Sequence, residues 1–593
     1  FSKKSITDIF YLACAKEILK NKKLFAKFAT HNAHTISSIQ YLGEGSDYEF
    51  QRLYGMGELL YQSASEALEL SSKPSIYAPI GSHKDLLPYL VRRLLENGAN
   101  SSFINRLLDP ETDSAWLAEN PYERLKKETK DIPVPKKIFF DRENSSGKDI
   151  SEIENLEDLK SKIDNFSGLK VDAESIYAGR LDTNNTEEKA FSISNRCEIG
   201  TITLDDPIQI KKALEKDTLD EWKEIEVNER AKILNLIADD LENNPYELIY
   251  FLINEAGKTI QNAIDEIREA VDFLRYYSSR SIELFNNTEL NGPTGEDNQM
   301  SFTPKGTFLC ISPWNFPVAI LIGQISAALS CGNRVIVKPS EYSSILGYLV
   351  VKKFHDHGVP ISALSLILGD GLYGDFLTKI SPLHGVAFTG SLPTAKKIQA
   401  NIIDNQNQII PLIAETGGIN TMIVDSSALL EQVTDDVVRS AFDSAGQRCS
   451  ALRVLCVQEE IYDDLKDMII GNMQIQTVGD PNFFDTDVGP IINDKAYKKL
   501  TSYISVCSEK GYKIHQPNQK VSDMHIAPTL IEINSISNIT EEQFGPILHI
   551  LKYSSNEIDE LINQINRSEY GLTMGIHSRI EARADYMSSR SNV

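Results

Sequence analysis

Four short apolar runs, GTFLCISP, GNRVIVKP, LSLILGD and GVAFTG, lie between residues 306 and 390, separated by helical stretches. Strands that are apolar on both faces need cover on both faces. Runs of this kind with helices between them therefore dictate a mostly parallel sheet between two helical layers. A long helical region precedes them, from Asn228 to Ser281. The most apolar run, VAILIGQISAALSCG at 318–332, is interrupted by Gln324 and Ser326. It is too short and too mixed to span a bilayer and reads as a buried helix. After about residue 412 a second α/β region begins, holding AETGG, a helix around 429–445 and GQRCS.

A chain of 593 residues exceeds what one core can organise, so two to four domains are expected. The hydrophobic fraction of 41% with 24% charged residues is that of a globular protein. A net charge of -24 argues against a nucleic-acid partner, which would call for a basic face. The seven cysteines are an odd number, scattered, and none has CxxC spacing. That pattern is neither a disulfide framework nor a zinc site, so no metal is expected and a reducing cytoplasm is the simplest setting. No signal peptide is evident, and a start at Phe1 rather than Met suggests a fragment or a processed product.

The first hundred residues alternate strand and helix. LFAKFAT (24–30), EFQRLYGMG (49–57) and SIYAPIG (75–81) read as strands, and HKDLLPYLVRRLLENG (83–98) as the last helix. This is the pattern of a β/α barrel, whose functional residues gather at the C-terminal ends of the strands. Only three units are present before residue 105, against the roughly 250 residues of a full eight-stranded barrel. Residues 107–170 are charge-rich and punctuated by Pro and Gly, and read as a linker with short helices.

The chemistry centres on five ordered motifs and one thiol: ISPWNFP (311–317), VKPSE (337–341), FTGS (388–391), AETGG (414–418), GQRCS (446–450) and EEQFGP (541–546). Each piece alone is ambiguous. Cys449 could be one more buried thiol, Glu415 a solvated turn residue, and Lys338–Pro339 only a turn after a strand. As a set, in this order, they resemble the aldehyde dehydrogenase superfamily. The resemblance implies Cys449 as nucleophile, Asn315 and the Cys449 N–H as donors to the oxyanion, and Glu415 as the base for hydrolysis. An ordinary thiol, with pKa about 8.5, is only a few per cent thiolate at neutral pH, so a helix terminus or base beside Cys449 is expected to raise that fraction. Losing one oxyanion donor costs about 3–4 kcal/mol. Lys338 and Glu341 are placed at the adenosine ribose of NAD, with the acidic residue disfavouring a 2′-phosphate. Gly390 and Ser391 open a helix that can receive the pyrophosphate. Glu542 and Phe544 match contacts to the nicotinamide end. Gly446 permits close backbone approach near the thiol, and Gln447 and Arg448 read as structural contacts.

The longer wording IAETGGINTMIVDSSALLEQVTDDVVRSAFDSAGQRCSALRVLCVQ (413–458) narrows the resemblance to the proline utilization A family. Those proteins join a flavin-dependent proline dehydrogenase to an L-glutamate-γ-semialdehyde dehydrogenase. FATHNAHT, EFQRLYGMGE, IYAPIGSH and YLVRRLLENGANSSFINR resemble the last strands and final helix of that barrel. The resemblance implies that Thr30, His31, Asn32, Gln51, Glu96 and Phe103 belong to an FAD site. It also implies that Tyr77, Arg92 and Arg93 bind the proline carboxylate, with Glu96 orienting Arg92. Without it, RRLLE reads more readily as a solvated helix face with a salt bridge.

The expected fold is thus α/β: a barrel segment (1–106), the linker (107–170), an NAD-binding doubly wound domain (171–412) and a catalytic domain (413–593). The expected activity is NAD-dependent oxidation of glutamate γ-semialdehyde to glutamate, a small-molecule reaction with no nucleic acid. The family's early barrel strands, its C-terminal substrate-anchoring loop and the sequence completing its dimerisation hairpin are not among these residues. The FAD site is therefore expected to be incomplete, and turnover by this chain is in question. The resemblance leaves open a homo-oligomer and, for full-length relatives, peripheral membrane association and channelling of the intermediate. Three other readings are an NAD-binding protein without turnover, a DNA-binding regulator, for which no basic module is seen, and an NAD-independent acyltransferase or esterase using Cys449.

Overall fold

The computed structural model of the chain describes residues 3–68, 70, 73–98, 119–127, 132–181, 185–215, 221–286, 288–568 and 570–593. It divides into two compact units, Phe1–Val134 and Pro135–Val593.

In the first unit three parallel strands, Ala26–Ala29, Tyr48–Leu53 and Ser75–Tyr77, pair in chain order. Each is followed by a helix: Ala33–Leu42, Glu58–Leu68 and His83–Gly98. Alternation along the first two strands turns Ala26, Phe28, Tyr48 and Phe50 inward, where they pack with Ile36, Ile39 and Tyr61. The strand–helix repeats expected from the sequence are therefore present.

The second unit is built on two sheets. The first has five parallel strands in the order Leu364–Leu366, Arg334–Lys338, Thr307–Ile311, Gly385–Gly390, Leu412–Thr416. Successive residues of its strands enter different cores. Cys310, Val335 and Val337 join the cluster formed with helices Val227–Asn243, Ile260–Phe285, Ala319–Ser330 and Ser344–Asp356. Leu309, Ile336 and Phe388 join the cluster under helix Leu392–Asn405. This is the two-sided burial that continuous apolar strands require. The strand order reverses between Thr307–Ile311 and Gly385–Gly390, and doubly wound sheets bind ligands at the C-terminal ends of the strands flanking such a reversal.

The second sheet runs Ile514–His515, Thr529–Glu532, Ile547–Tyr553, Val454–Gln458, Thr421–Val424, Met574–His577, parallel except at its first edge. Its core is separate from the first. A three-stranded sheet (Val171–Glu174, Glu198–Leu204, Thr186–Phe191) and an exposed hairpin (Thr288–Leu290 with Asn298–Met300) complete the unit.

Two expected boundaries differ from what is observed. Residues from Pro135 onward are not linker. Helix Ile153–Asp164 buries Leu159 and Ile163 in the first core, and Ser145 donates from both N and Oγ to Asp272 at 2.7 Å. The apolar spacing of that helix was masked in the sequence by its charge density. The passage between the two sheets falls at 417–420 rather than at 412, because Leu412–Thr416 is the edge strand of the first sheet.

Candidate active site

The ISPWNFP turn leaves the C-terminal end of strand Thr307–Ile311, beside the reversal of strand order. Its two aromatics part company. Trp314 lines a cavity of about 590 Å³, and Phe316 lines a second of about 820 Å³. Asn315, between them, is buried.

The first cavity gathers the expected cofactor residues: Lys338, Glu341, Gly390 and Ser391. Lys338 ends its strand with its ammonium buried, 3.0 Å from the Pro339 carbonyl and 4.0 Å from the Glu341 carboxylate. Burial pushes its pKa down, and Glu341 and Asp370 oppose the shift. Ser391, which lines this cavity, caps helix Leu392–Asn405 by accepting from Thr394 N at 3.4 Å, and because Pro393 has no N–H and Ala395 N bonds Ser391 O, the Leu392 N–H is the first-turn donor left for a ligand. A buried ammonium beside a carboxylate at the cavity wall, opposite a helix N-terminus, fits the ribose and pyrophosphate of a dinucleotide.

The second cavity holds Cys449 together with carboxylates (Asp265, Glu269, Asp443) and guanidinium groups (Arg142, Arg268, Arg448). The loop carrying the thiol is unusual. Ser444, Ala445 and Gly446 all have φ between 53° and 63°, a left-handed run that disfavours L side chains. A Cβ on Gly446 would lie 2.2 Å from the Gly545 carbonyl, so glycine is required where GQRCS and EEQFGP touch. Gln447 pins the loop through Pro490 O and Ile492 N, both at 3.0 Å. Arg448 donates to Arg439 O and Ser440 O near the end of helix Leu430–Phe442.

The thiol is not predisposed to ionise, contrary to expectation. Burial raises the Cys449 pKa, and the carboxylates of Glu542 and Glu415 add to the shift. The N–H groups of Ser450 and of Cys449 itself pull the other way. The helix before Cys449, Leu430–Phe442, ends seven positions earlier, and the intervening loop bends left-handed.

Glu415 is placed differently from the turn read in the sequence. It lies on strand Leu412–Thr416, paired with Thr389, and the glycines follow it. A Cβ on Gly417 would meet the Glu542 carboxylate at 1.9 Å, so AETGG and EEQFGP close on each other there. Burial raises the Glu542 pKa, opposed by Arg453 and the Gly418 N–H. Phe544 meets Trp314 edge-on at 5.8 Å.

Two residues that sequence reasoning missed tie these pieces together. Arg453, fully buried, donates to Gly446 O (2.8 Å), Arg448 O (2.9 Å) and Gly545 O (3.1 Å), contacts Glu542 at 3.4 Å and sits 5.5 Å from the Phe544 ring. Asn420 holds the backbone on both sides of Ser450, donating to Cys449 O at 2.6 Å and Ala451 O at 2.8 Å. The signal for Arg453 was available: a lone charge at the head of the apolar run VLCV.

The matching family models cover both units. The aldehyde dehydrogenase family matches residues 182–593 and proline dehydrogenase matches residues 1–106. The chain belongs to the aldehyde dehydrogenase family. Within that family it falls with the bifunctional PutA proteins. The PutA protein of Escherichia coli is 40% identical over 98% of this chain and 46% of its own length. The chain thus spans about half the length of the curated relatives it matches. The 1-pyrroline-5-carboxylate dehydrogenase of Oceanobacillus iheyensis is 31% identical over 71% of this chain and 82% of its own length. The crystal structure of proline utilization A from Bdellovibrio bacteriovorus, inactivated by N-propargylglycine, superposes with a TM-score of 0.89 at 26% identity. It covers all of this chain and 63% of that one.

In the first unit the expected flavin residues share one strand-end region. Asn32 caps helix Ala33–Leu42 through His34 N and Thr35 N, Thr30 Oγ1 accepts from Asn32 N, and His31 Nε2 accepts from Leu53 N. Gln51 lies on the neighbouring strand. Tyr77 is 6.2 Å from the Tyr89 ring, over which Arg93 sits at 5.5 Å, and Arg92 is exposed. Phe103 and the side chain of Glu96 lie outside the described residues. Among the described residues of the whole chain, no helix is long and apolar enough to cross a membrane.

Proposed function

We propose that the second unit oxidises L-glutamate γ-semialdehyde, the open form of pyrroline-5-carboxylate, to glutamate with NAD. One observation carries the reading: Cys449 lies in a cavity lined by both carboxylates and guanidinium groups, and the ISPWNFP turn reaches that cavity through Phe316 and the one that fits a dinucleotide through Trp314. An amino-acid aldehyde carries an ammonium and a carboxylate, and each needs a counter-charge in a partly desolvated site. Glu269, held above the ordinary carboxylate range by burial and by Glu266 and Asp272, suits the ammonium. Arg448 suits the carboxylate.

Deprotonated Cys449 attacks the aldehyde carbon, and the oxygen of the resulting thiohemiacetal takes hydrogen bonds from the Asn315 amide and the Cys449 N–H. Bound NAD supplies the hydride acceptor. Glu415 then removes a proton from the water that hydrolyses the Cys449 thioester, releasing glutamate and the thiolate. Lys338 and Glu341 hold the ribose, Ser391 the pyrophosphate, and Glu542 and Phe544 stand at the nicotinamide end.

For the first unit we infer a share in FAD-dependent proline oxidation, with Thr30, His31, Asn32, Gln51, Glu96 and Phe103 toward the flavin and Tyr77, Arg92 and Arg93 toward proline. Inside the unit His31 Nε2 accepts from Leu53 N, and the Asn32 side chain accepts from His34 N and Thr35 N.

The test is NADH formation with the semialdehyde against NADP and against a neutral aliphatic aldehyde of equal length. The reading expects turnover with NAD and the charged substrate, and a loss of kcat/KM of about 100-fold with the neutral one. Equal rates with both aldehydes would refute the substrate assignment.

A further inference from the structure

The turn EAGKT at 255–259 and the helix after it carry three buried ionisable side chains that the proposed reaction does not use: Glu255, Lys258 and Glu266. Each carboxylate meets the start of a helix that follows a ligand-binding motif. Helix Ala319–Ser330 begins after ISPWNFP and has no side-chain cap of its own. Glu266 Oε1 accepts from Val318 N at 2.8 Å and Ala319 N at 3.3 Å. Helix Ser344–Asp356 begins after VKPSE and its Ser343 provides no side-chain cap. Glu255 accepts from Ile345 N through Oε1 and from Leu346 N through Oε2, both at 2.9 Å.

The first N–H groups of a helix have no partner inside it, and a carboxylate there also meets the positive end of the helix dipole. Both helices thus borrow their caps from one segment. Lys258 completes the arrangement. Its ammonium is 2.9 Å from Glu266 Oε2, an ion contact without hydrogen-bond alignment, and 3.7 Å from the centre of the Phe316 ring. Phe316 adjoins Asn315. The turn can bring both carboxylates inward because Gly257 has φ 70° and passes so close to Pro490 and Ile193 that a Cβ would lie 2.9 Å and 3.0 Å from them.

We propose that Glu255 and Glu266 are positioning residues, Glu255 fixing the loop that presents Lys338 and Glu341 to the cofactor ribose and Glu266 fixing the loop that presents Asn315 to the oxyanion. The distances along the chain are short: two residues lie between Asn315 and Val318, and three between Glu341 and Ile345. A shift of about 1 Å in such a loop is enough to cost about 100-fold in rate. This inference rests on the reading of the two cavities given above.

The experiment compares Glu255→Ala, Glu255→Gln, Glu266→Ala and the double variant Lys258→Met/Glu266→Gln in the whole chain. Three readouts are used: NAD affinity by calorimetry without substrate, amide exchange at the four capped N–H groups, and kcat with KM. Glu255→Ala is expected to weaken NAD binding by about tenfold, the value of one or two lost hydrogen bonds, and to speed exchange at Ile345 and Leu346. Its kcat at saturating NAD stays close to the parent's. Glu266→Ala is expected to leave NAD affinity in place, speed exchange at Val318 and Ala319, and lower kcat about 100-fold at little changed KM. Lys258→Met/Glu266→Gln keeps an acceptor for both N–H groups and leaves no lone buried charge, so it recovers most of that loss.

If an alanine variant does not fold, Glu255→Gln, which loses one of two acceptors, and the double variant carry the same split. Parallel loss of NAD affinity, kcat and melting temperature in both families of variants would show a merely structural role and overturn the proposal, as would no change in any. A parent chain that binds NAD but leaves the semialdehyde untouched contradicts the proposed function instead. The NAD-affinity and exchange readouts still decide this inference in that case.

Discussion

Cys449 carries the account at the scale of single residues, and its surroundings set a measurable property. Its thiol is raised by burial and by the carboxylates of Glu542 and Glu415. A raised thiol pKa means less thiolate at neutral pH and a nucleophilicity that climbs as pH rises. Alkylation by iodoacetamide without NAD is expected to increase with pH to a midpoint above the roughly 8.5 of an ordinary thiol. Glu542→Gln removes one of the carboxylates and should move the midpoint down. A midpoint at or below the ordinary value would contradict the electrostatic description. Cys449, Asn315 and Glu415 stand out in the sequence as candidates because each sits in a motif. The direction of the thiol's shift was not, because Glu542, 93 residues away in the chain, reaches the site only through folding.

At the scale of elements, the site joins strand ends (Lys338, Glu415) and one face of helix Ile260–Phe285 (Asp265, Glu269) to the loops that carry Asn315, Cys449 and Glu542. Arg453 is the tie, joining the 446–448 turn, the Gly545 carbonyl and Glu542 through one buried guanidinium. Arg453→Met would leave three carbonyls without their donor and Glu542 without its cation. The expected cost is about 3–5 kcal/mol of stability, read as a lowered melting temperature, with activity lost even where the variant is folded. A melting temperature equal to the parent's would contradict this role. The strands of the parallel sheet were legible because two-sided burial leaves unbroken apolar runs. Asn420 was not, because a polar residue that satisfies backbone carbonyls looks, in sequence, like any polar residue near a strand end, whereas Arg453 left the trace of a lone charge before an apolar run. Glu415 was misread as a turn residue because the glycines after it dominate the local signal, whereas pairing with Thr389 extends the strand over it.

At the scale of the whole molecule, every residue named in the two cavities lies within Pro135–Val593. Residues 135–593 expressed alone are therefore expected to bind NAD with the affinity of the whole chain, as read by calorimetry. A loss of binding on removing residues 1–134 would contradict that independence. The sequence made the two-part organisation legible through a change of pattern, but it misassigned 135–170 as linker. Only the core shows Leu159 and Ile163 to be structural.

The most direct test of the central claim is the intact mass of Glu415→Gln mixed with NAD and glutamate γ-semialdehyde. The account predicts a burst of about one NADH per chain and a glutamyl thioester on Cys449 that persists because its hydrolysis has lost the base. Steady NADH formation without an adduct, or an adduct on another residue, would contradict it.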